Sequence, residues 1–113
     1  MRLTSAFYVS ALIRTLDGRG IPAVVARRGA TEAGAVFVRV NRLDRTADLY
    51  APAPQMSFEA GESDDRLFER VLEAQPEPDV SARLASEIRF DSDLWIVEID
   101  DRNGAVPVPL AKI

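Results

Sequence analysis

Ala6, Val9, Leu12, Ile13 and Leu16 recur at three- and four-residue spacing, the stripe of an amphipathic helix, which predicts a helix over residues 5–16. Thr4 or Ser5 can cap its start, and Asp17-Gly18-Arg19-Gly20 ends it with a glycine at a left-handed position. The pattern then changes to β-rich runs at 21–28 and 35–41, joined by a glycine-flanked segment at 29–34. That arrangement predicts a hairpin with a slightly long loop. A turn at 43–46 leads to a third strand at 47–51, which Pro52 and Pro54 interrupt or push to a sheet edge. Residues 56–59 are read as extended and 61–65 as an acidic exposed loop.

Leu67, Phe68, Val71 and Leu72 fit a helical stripe or a strand after a turn, and the strand is preferred for 67–73. Pro76-Glu77-Pro78 breaks whatever precedes it. Asp79 then caps a second helix to about Arg89, with Val80, Leu84 and Ile88 on one side. Residues 94–100 are the clearest strand, and alternate prolines at 107 and 109 make 106–110 extended. Strands grouped ahead of a helix predict an α+β fold: an antiparallel sheet of four to five strands with two helices packed on one face. Its core would contain Val9, Leu12, Ile13, Leu16, Val36, Val38, Leu84, Ile88, Trp95 and Val97. Residues 1–101 would form one domain and 102–113 an extended proline-containing tail.

Two strands are apolar on both faces. Val36, Val38 and Val40 oppose Phe37 and Arg39, while Trp95, Val97 and Ile99 oppose Leu94 and Ile96. A half-exposed antiparallel sheet alternates cleanly, so the second face must be partly covered by loops, by the tail or by another subunit. On the first helix Phe7 and Arg14 lie away from the apolar stripe and are residue types favoured at interfaces. Phe7, Arg14, Phe37 and Tyr50 are therefore the candidate interface residues.

Composition narrows the chemistry. At 113 residues and 47% hydrophobic, the chain is long enough to bury one core without staples. It has no cysteine and no histidine, so thiolate nucleophiles, histidine-based triads and the commonest zinc sites are excluded. A net charge of −4 repels a phosphate backbone, which argues against nucleic acid. Arg14 interrupts the apolar start before any long signal-like run, and no stretch reaches the length of a membrane span. A cytoplasmic protein without membrane attachment is the expectation.

The stretch ARRGATEAGAVFVRVNR at 26–42 places two glycines beside paired arginines. A Walker loop needs lysine and Ser/Thr after its last glycine, whereas Ala35 and Val36 stand here, and the three-glycine dinucleotide fingerprint is incomplete. The glycines are read as loop residues that allow positive φ. The arginines are a separate matter: Lys112 is the single lysine among 14 basic residues, and arginine suits bidentate recognition of carboxylate or phosphate. Arg27, Arg28 and Arg39 are the candidate anion site. The acidic groups around 91–93, 100–101 and 59–65 lack the alternating acids, glycine and terminal glutamate of a calcium loop, so no metal or cofactor is expected.

The segments MRLTSAFYVSALIRTL, VVARRGATEAGAVFVRVNR, ADLYAPAPQ, DRLFERVLE and DVSARLASEIRFDSDLWIVEID together resemble a family of short alphaproteobacterial proteins, domain of unknown function 1491. The likeness runs from Met1 to Asp101, and its most specific parts are the RRG-to-AGA loop and the DLW–VEI strand. It implies a single-domain bacterial cytoplasmic protein and carries no activity or catalytic residue. Two functions follow from the residues themselves. The first is a non-catalytic protein-interaction module, as a homodimer or an adaptor; the alternative is a small-anion or nucleotide-metabolite binding module built on the hairpin arginines.

Overall fold

The computed structural model describes residues 3–54 and 66–112; the extended segment expected at 56–59 and the acidic loop at 61–65 lie outside them. The chain runs α1 (Ser5–Gly18), β1 (Ala23–Arg27), β2 (Val36–Asn41), β3 (Thr46–Pro52), β4 (Phe68–Pro76), α2 (Glu77–Phe90) and β5 (Trp95–Asp100). The strand preferred for 67–73 is present as β4, starting one residue later and running on to Pro76. The first helix is bounded as its sequence requires. The Thr4 hydroxyl accepts a hydrogen bond from the Phe7 N–H at 3.1 Å. At the other end Gly20, with φ +74°, lets its own N–H reach Asp17 O and that of Ile21 reach Leu16 O, the paired bonds that satisfy a helix's last carbonyls.

The α+β class stands, with a mixed sheet of order β1-β5-β2-β3-β4. All neighbours are antiparallel except β2 and β5, which are parallel. The expected β1–β2 hairpin does not form, because β5 lies between those strands. The physical reason is burial. Trp95, Ile96, Val97 and Ile99 are all at most 7% exposed, and a strand apolar on both faces is stable only in the interior of a covered sheet.

The two faces carry separate cores. Val36, Val38, Val40, Tyr50, Trp95, Val97 and Ile99 pack with Val9 and Leu16 of α1. Phe37, Ala47, Leu49, Ala51, Leu94 and Ile96 pack with Val80 and Leu84 of α2. One helix therefore covers each face, rather than both sharing one. The two-sided apolarity of β2 and β5 has this cause, and no second subunit is needed to explain it.

The second helix starts earlier than Asp79. Pro76 occupies the cap position and Pro78 lies in the first turn, where a missing N–H costs no helical hydrogen bond. The tail also joins the structure. Val108 is buried in the α1-side core, the Phe68 N–H donates to Pro109 O, and the Ala111 N–H donates to Phe68 O, both at 2.9 Å.

Candidate binding groove

The segment between β1 and β2 organises one end of the molecule. Gly29 and Gly34 have no positive φ; that freedom belongs to Gly20 and Gly104. Their role is close approach. A Cβ on Gly29 would stand 2.2 Å from Asp93 O, and one on Gly34 2.4 Å from the same atom, both inside van der Waals contact with backbone. The turn before β5 therefore seats directly on this loop, with the Ala30 N–H donating to Asp93 O at 2.8 Å. The loop also holds α1: the N–H groups of Ser5 and Ala6, unused within the helix, donate to Glu32 O and Thr31 O at 3.0 Å. The Trp95 indole N–H donates to Ala30 O at 2.8 Å.

Arg27, Arg28 and Arg39 do not converge. The Arg27 guanidinium donates to Ser92 O and Leu94 O at 3.0 and 2.7 Å, tying β1 to the start of β5. Arg39 lies on the opposite face beneath α2, where it donates to Asn41 Oδ1 at 2.8 Å and Ser81 Oγ at 2.9 Å. Arg28 is diverted by a register shift between Val25 and Arg27. Such a bulge re-aims the following side chains, and the guanidinium comes to lie 5.3 Å from the centroid of the Trp95 ring, a cation–π contact.

That diversion completes a groove of about 360 Å³ between α1 and the sheet, lined by Ala6, Val9, Ser10, Ile13, Arg14, Asp17, Val25, Arg28 and Trp95. Arg14, singled out from the helix pattern, and Arg28, singled out from the loop, meet here. Phe7 is not in the lining; it is 57% exposed on the helical stripe that continues through Ser10 and Arg14. Phe37 and Tyr50, 6% and 0% exposed, are core residues on opposite faces and offer no surface to a partner. Strand pattern alone could not reveal this, because alternation separates two faces without saying which is covered.

The groove opens along β1, the edge of the sheet. Val24 and Val25 are 60% and 39% exposed, and among the described residues no hydrogen bond reaches the outer side of this strand. The sequence pattern marked β1 as a strand but carried no signal that it would be an edge.

A second polar cluster lies at the far side of the α1 face. Asp48, with no exposed surface, accepts from Arg42 Nε at 3.1 and 3.2 Å, from Arg42 Nη2 at 3.0 Å and from the Ala74 N–H at 2.7 Å. These contacts hold the Arg42 guanidinium above its ordinary range, the Asp48 hydrogen bond first among the causes. Gly104, at φ +62°, lies so close over Arg42 that a Cβ would come within 2.5 Å of Cζ. Nearby, burial raises the Tyr50 hydroxyl above its usual range, with the adjacent Arg70 partly opposing the shift. Among the described residues the Tyr50 oxygen makes no hydrogen bond of standard geometry. The carboxylate at its centre is fully buried while Arg42 keeps 21% of its side-chain surface, so the cluster acts as a structural lock between β3, β4 and the turn at Gly104. Among the described residues no group of three or more acidic side chains is arranged to hold a metal ion, and no helix is long and apolar enough to cross a membrane.

Residues 3–109 match the model of a family described as protein of unknown function (DUF1491). The solution structure of protein Atu0922 from A. tumefaciens is similar over 100% of this chain and 98% of that one, at 42% identity and a TM-score of 0.83. A crystal structure of a DUF1491 family protein from Caulobacter crescentus CB15 is similar over 99% of this chain and 100% of that one, at 35% identity and a TM-score of 0.77. An NMR structure of a DUF1491 family protein from the same organism gives 36% identity and a TM-score of 0.77 over 99% of each chain. No curated protein matches the chain.

Proposed function

The chain belongs to the DUF1491 family of proteins of unknown function, and on that premise we propose that it is a cytoplasmic, non-catalytic protein-interaction module. Its docking surface is the groove between α1 and β1, together with the open edge of β1 itself. The observation that carries this reading is the state of that edge. Ala23-Val24-Val25-Ala26 is an apolar run on the outside of the sheet with two exposed valines, and unguarded apolar edges are templates for pairing. Arg14 and Arg28 line the adjoining groove and Phe7 is exposed on the same helix as Arg14, and aromatic and arginine side chains are the types that anchor protein interfaces. The anion-binding alternative loses its footing, since Arg27 and Arg39 are committed to internal hydrogen bonds on separate parts of the sheet.

The test uses a tagged chain expressed in an alphaproteobacterial host, alongside a variant carrying Phe7→Ser and Val24→Lys. Both positions are more than half exposed, so the variant should keep the wild-type circular dichroism and melting temperature. The reading requires that it lose a co-purifying protein, or a self-associated mass in light scattering, that the wild type retains. Identical co-purification profiles and a strict monomer in both cases would refute it.

A further inference from the structure

Resting on the docking reading above, we propose that the element received by this surface is an acidic, extended segment of a partner protein, which adds to β1 as a sixth strand. The two edges of the sheet are treated differently. On β4 the chain places Glu69, Arg70 and Glu73, and the tail adds a bridge from Leu110 to Phe68; charge and cover are the usual means of preventing strand addition. On β1, among the described residues, neither is present between Ala23 and Ala26. The one charged residue of the strand, Arg27, turns its guanidinium inward to carbonyls of the 92–94 turn. The bulge after Val25 limits regular pairing to the start of the strand and delivers Arg28 to the groove at its end.

Register then sets the chemistry of the incoming strand. Val25 pairs with Val97 and lies on the α1 face, while Val24 pairs with Glu98 and lies on the other. Side chains alternate across an added strand as across any other. Those on the α1 face would enter the groove beside Arg14 and Arg28, and those on the opposite face would lie against the exposed Val24. Neither arginine has a carboxylate partner among the described residues: Asp17 lines the same groove but forms an ion pair with neither. Two unpaired guanidiniums select carboxylates, so the segment alternates acidic with apolar residues. Backbone hydrogen bonds would supply affinity and the alternate side chains specificity, as in other strand-addition complexes.

The experiment is fluorescence anisotropy on the full chain with a labelled peptide that alternates valine and glutamate. Two controls accompany it: the same peptide with lysine for glutamate, and the same peptide N-methylated at alternate backbone nitrogens. The glutamate peptide should bind, move the amide resonances of β1, and weaken as salt is raised. Both controls should fail to bind. Arg14→Glu, on the exposed side of α1, should weaken the glutamate peptide by about tenfold, the loss of a charge-assisted contact. Adding Arg28→Glu should weaken it further.

Equal binding of the lysine peptide, undiminished binding of the N-methylated peptide, or no binding of the glutamate peptide would each overturn the inference. So would dimerisation of the free protein through β1, which would give the edge to a second copy. If the peptides fail while the Phe7→Ser/Val24→Lys variant still loses its co-purifying protein, the acidic strand is discarded and the docking module stands. If both fail, both are discarded.

Discussion

Arg42→Met is the substitution whose cost the structure defines best. The Asp48 side chain has no exposed surface and Arg42 is 21% exposed, so the pair is sealed on the carboxylate side and reached by water only from the guanidinium side. Methionine fills much of the arginine stem but removes three donor contacts at 3.0–3.2 Å, leaving Asp48 with the Ala74 N–H alone. A buried charge stripped of its partner costs about 3–5 kcal/mol. The partial exposure of Arg42 puts the expectation at about 3 kcal/mol. For a domain of this size that corresponds to roughly 12–18 °C in melting temperature. Urea denaturation followed by far-UV circular dichroism measures it directly. Asp48→Asn, which removes the stranded charge, should be milder alone and should recover part of the loss in the double variant, giving a coupling of about 1–3 kcal/mol. Arg42→Met within about 1 kcal/mol of wild type, or strictly additive single effects, would refute the view of this cluster as a lock.

Three further outcomes are expected. Gly29→Ala should destabilise strongly, because its Cβ would meet the backbone of Asp93 and Leu94 at 2.2–2.7 Å; Gly18→Ala, with nothing within 4 Å, should stabilise by about 0.5–1 kcal/mol, and thermal melts of the two proteins check the contrast. Trp95→Ala should cost about 3–5 kcal/mol by chemical denaturation, since it empties the α1-side core and breaks the bond to Ala30 O. Tyr50 bears on alkaline stability: its folded-state value is raised by burial above an ordinary value near 10, so the unfolded chain ionises first and stability falls as pH rises past about 10. Tyr50→Phe should flatten that decline in melts taken between pH 9 and 11, and an unchanged slope would exclude the tyrosine as its source.

Local features were legible in the chain before its fold was known. The stripe of α1, its Thr4 cap, the left-handed Gly20 and the strand character of 94–100 all depend on neighbours within a few residues, where steric and hydrogen-bonding rules act directly. What escaped depends on segments far apart. Nothing in the periods of 21–28 and 35–41 says that residues 95–100 will come between them. The apolar content of both faces of β2 and β5 was visible, but a covering helix and a covering subunit leave the same imprint. Phe37 was accordingly placed at an interface although it lies under α2. Arg28 stands out in the sequence beside Arg27 and Arg39, yet the side chain it shares a groove with is Arg14, across from a one-residue bulge that only the long-range pairing of β1 with β5 reveals. The glycines flanking 29–34 signalled a constraint whose nature, contact with the turn before β5, was invisible without the long-range pairing.

The parallel β2–β5 pair has a consequence for synthesis. Its two members are separated in the chain by β3, β4 and α2, and among the described residues β1 has no sheet neighbour other than β5. While the ribosome works from Asn41 to Trp95, at about 5–20 residues per second, the nascent chain carries β1 and β2 with their β5-facing sides open for roughly 3–11 seconds. Closing so long a loop adds little to the equilibrium cost, which grows only with the logarithm of its length, but non-local pairing is slow. The hazard is therefore one of timing. During that interval Ala23-Val24-Val25-Ala26 is bare on both edges, and it is this stretch, ahead of any other in the chain, that a ribosome-associated chaperone would have to shield.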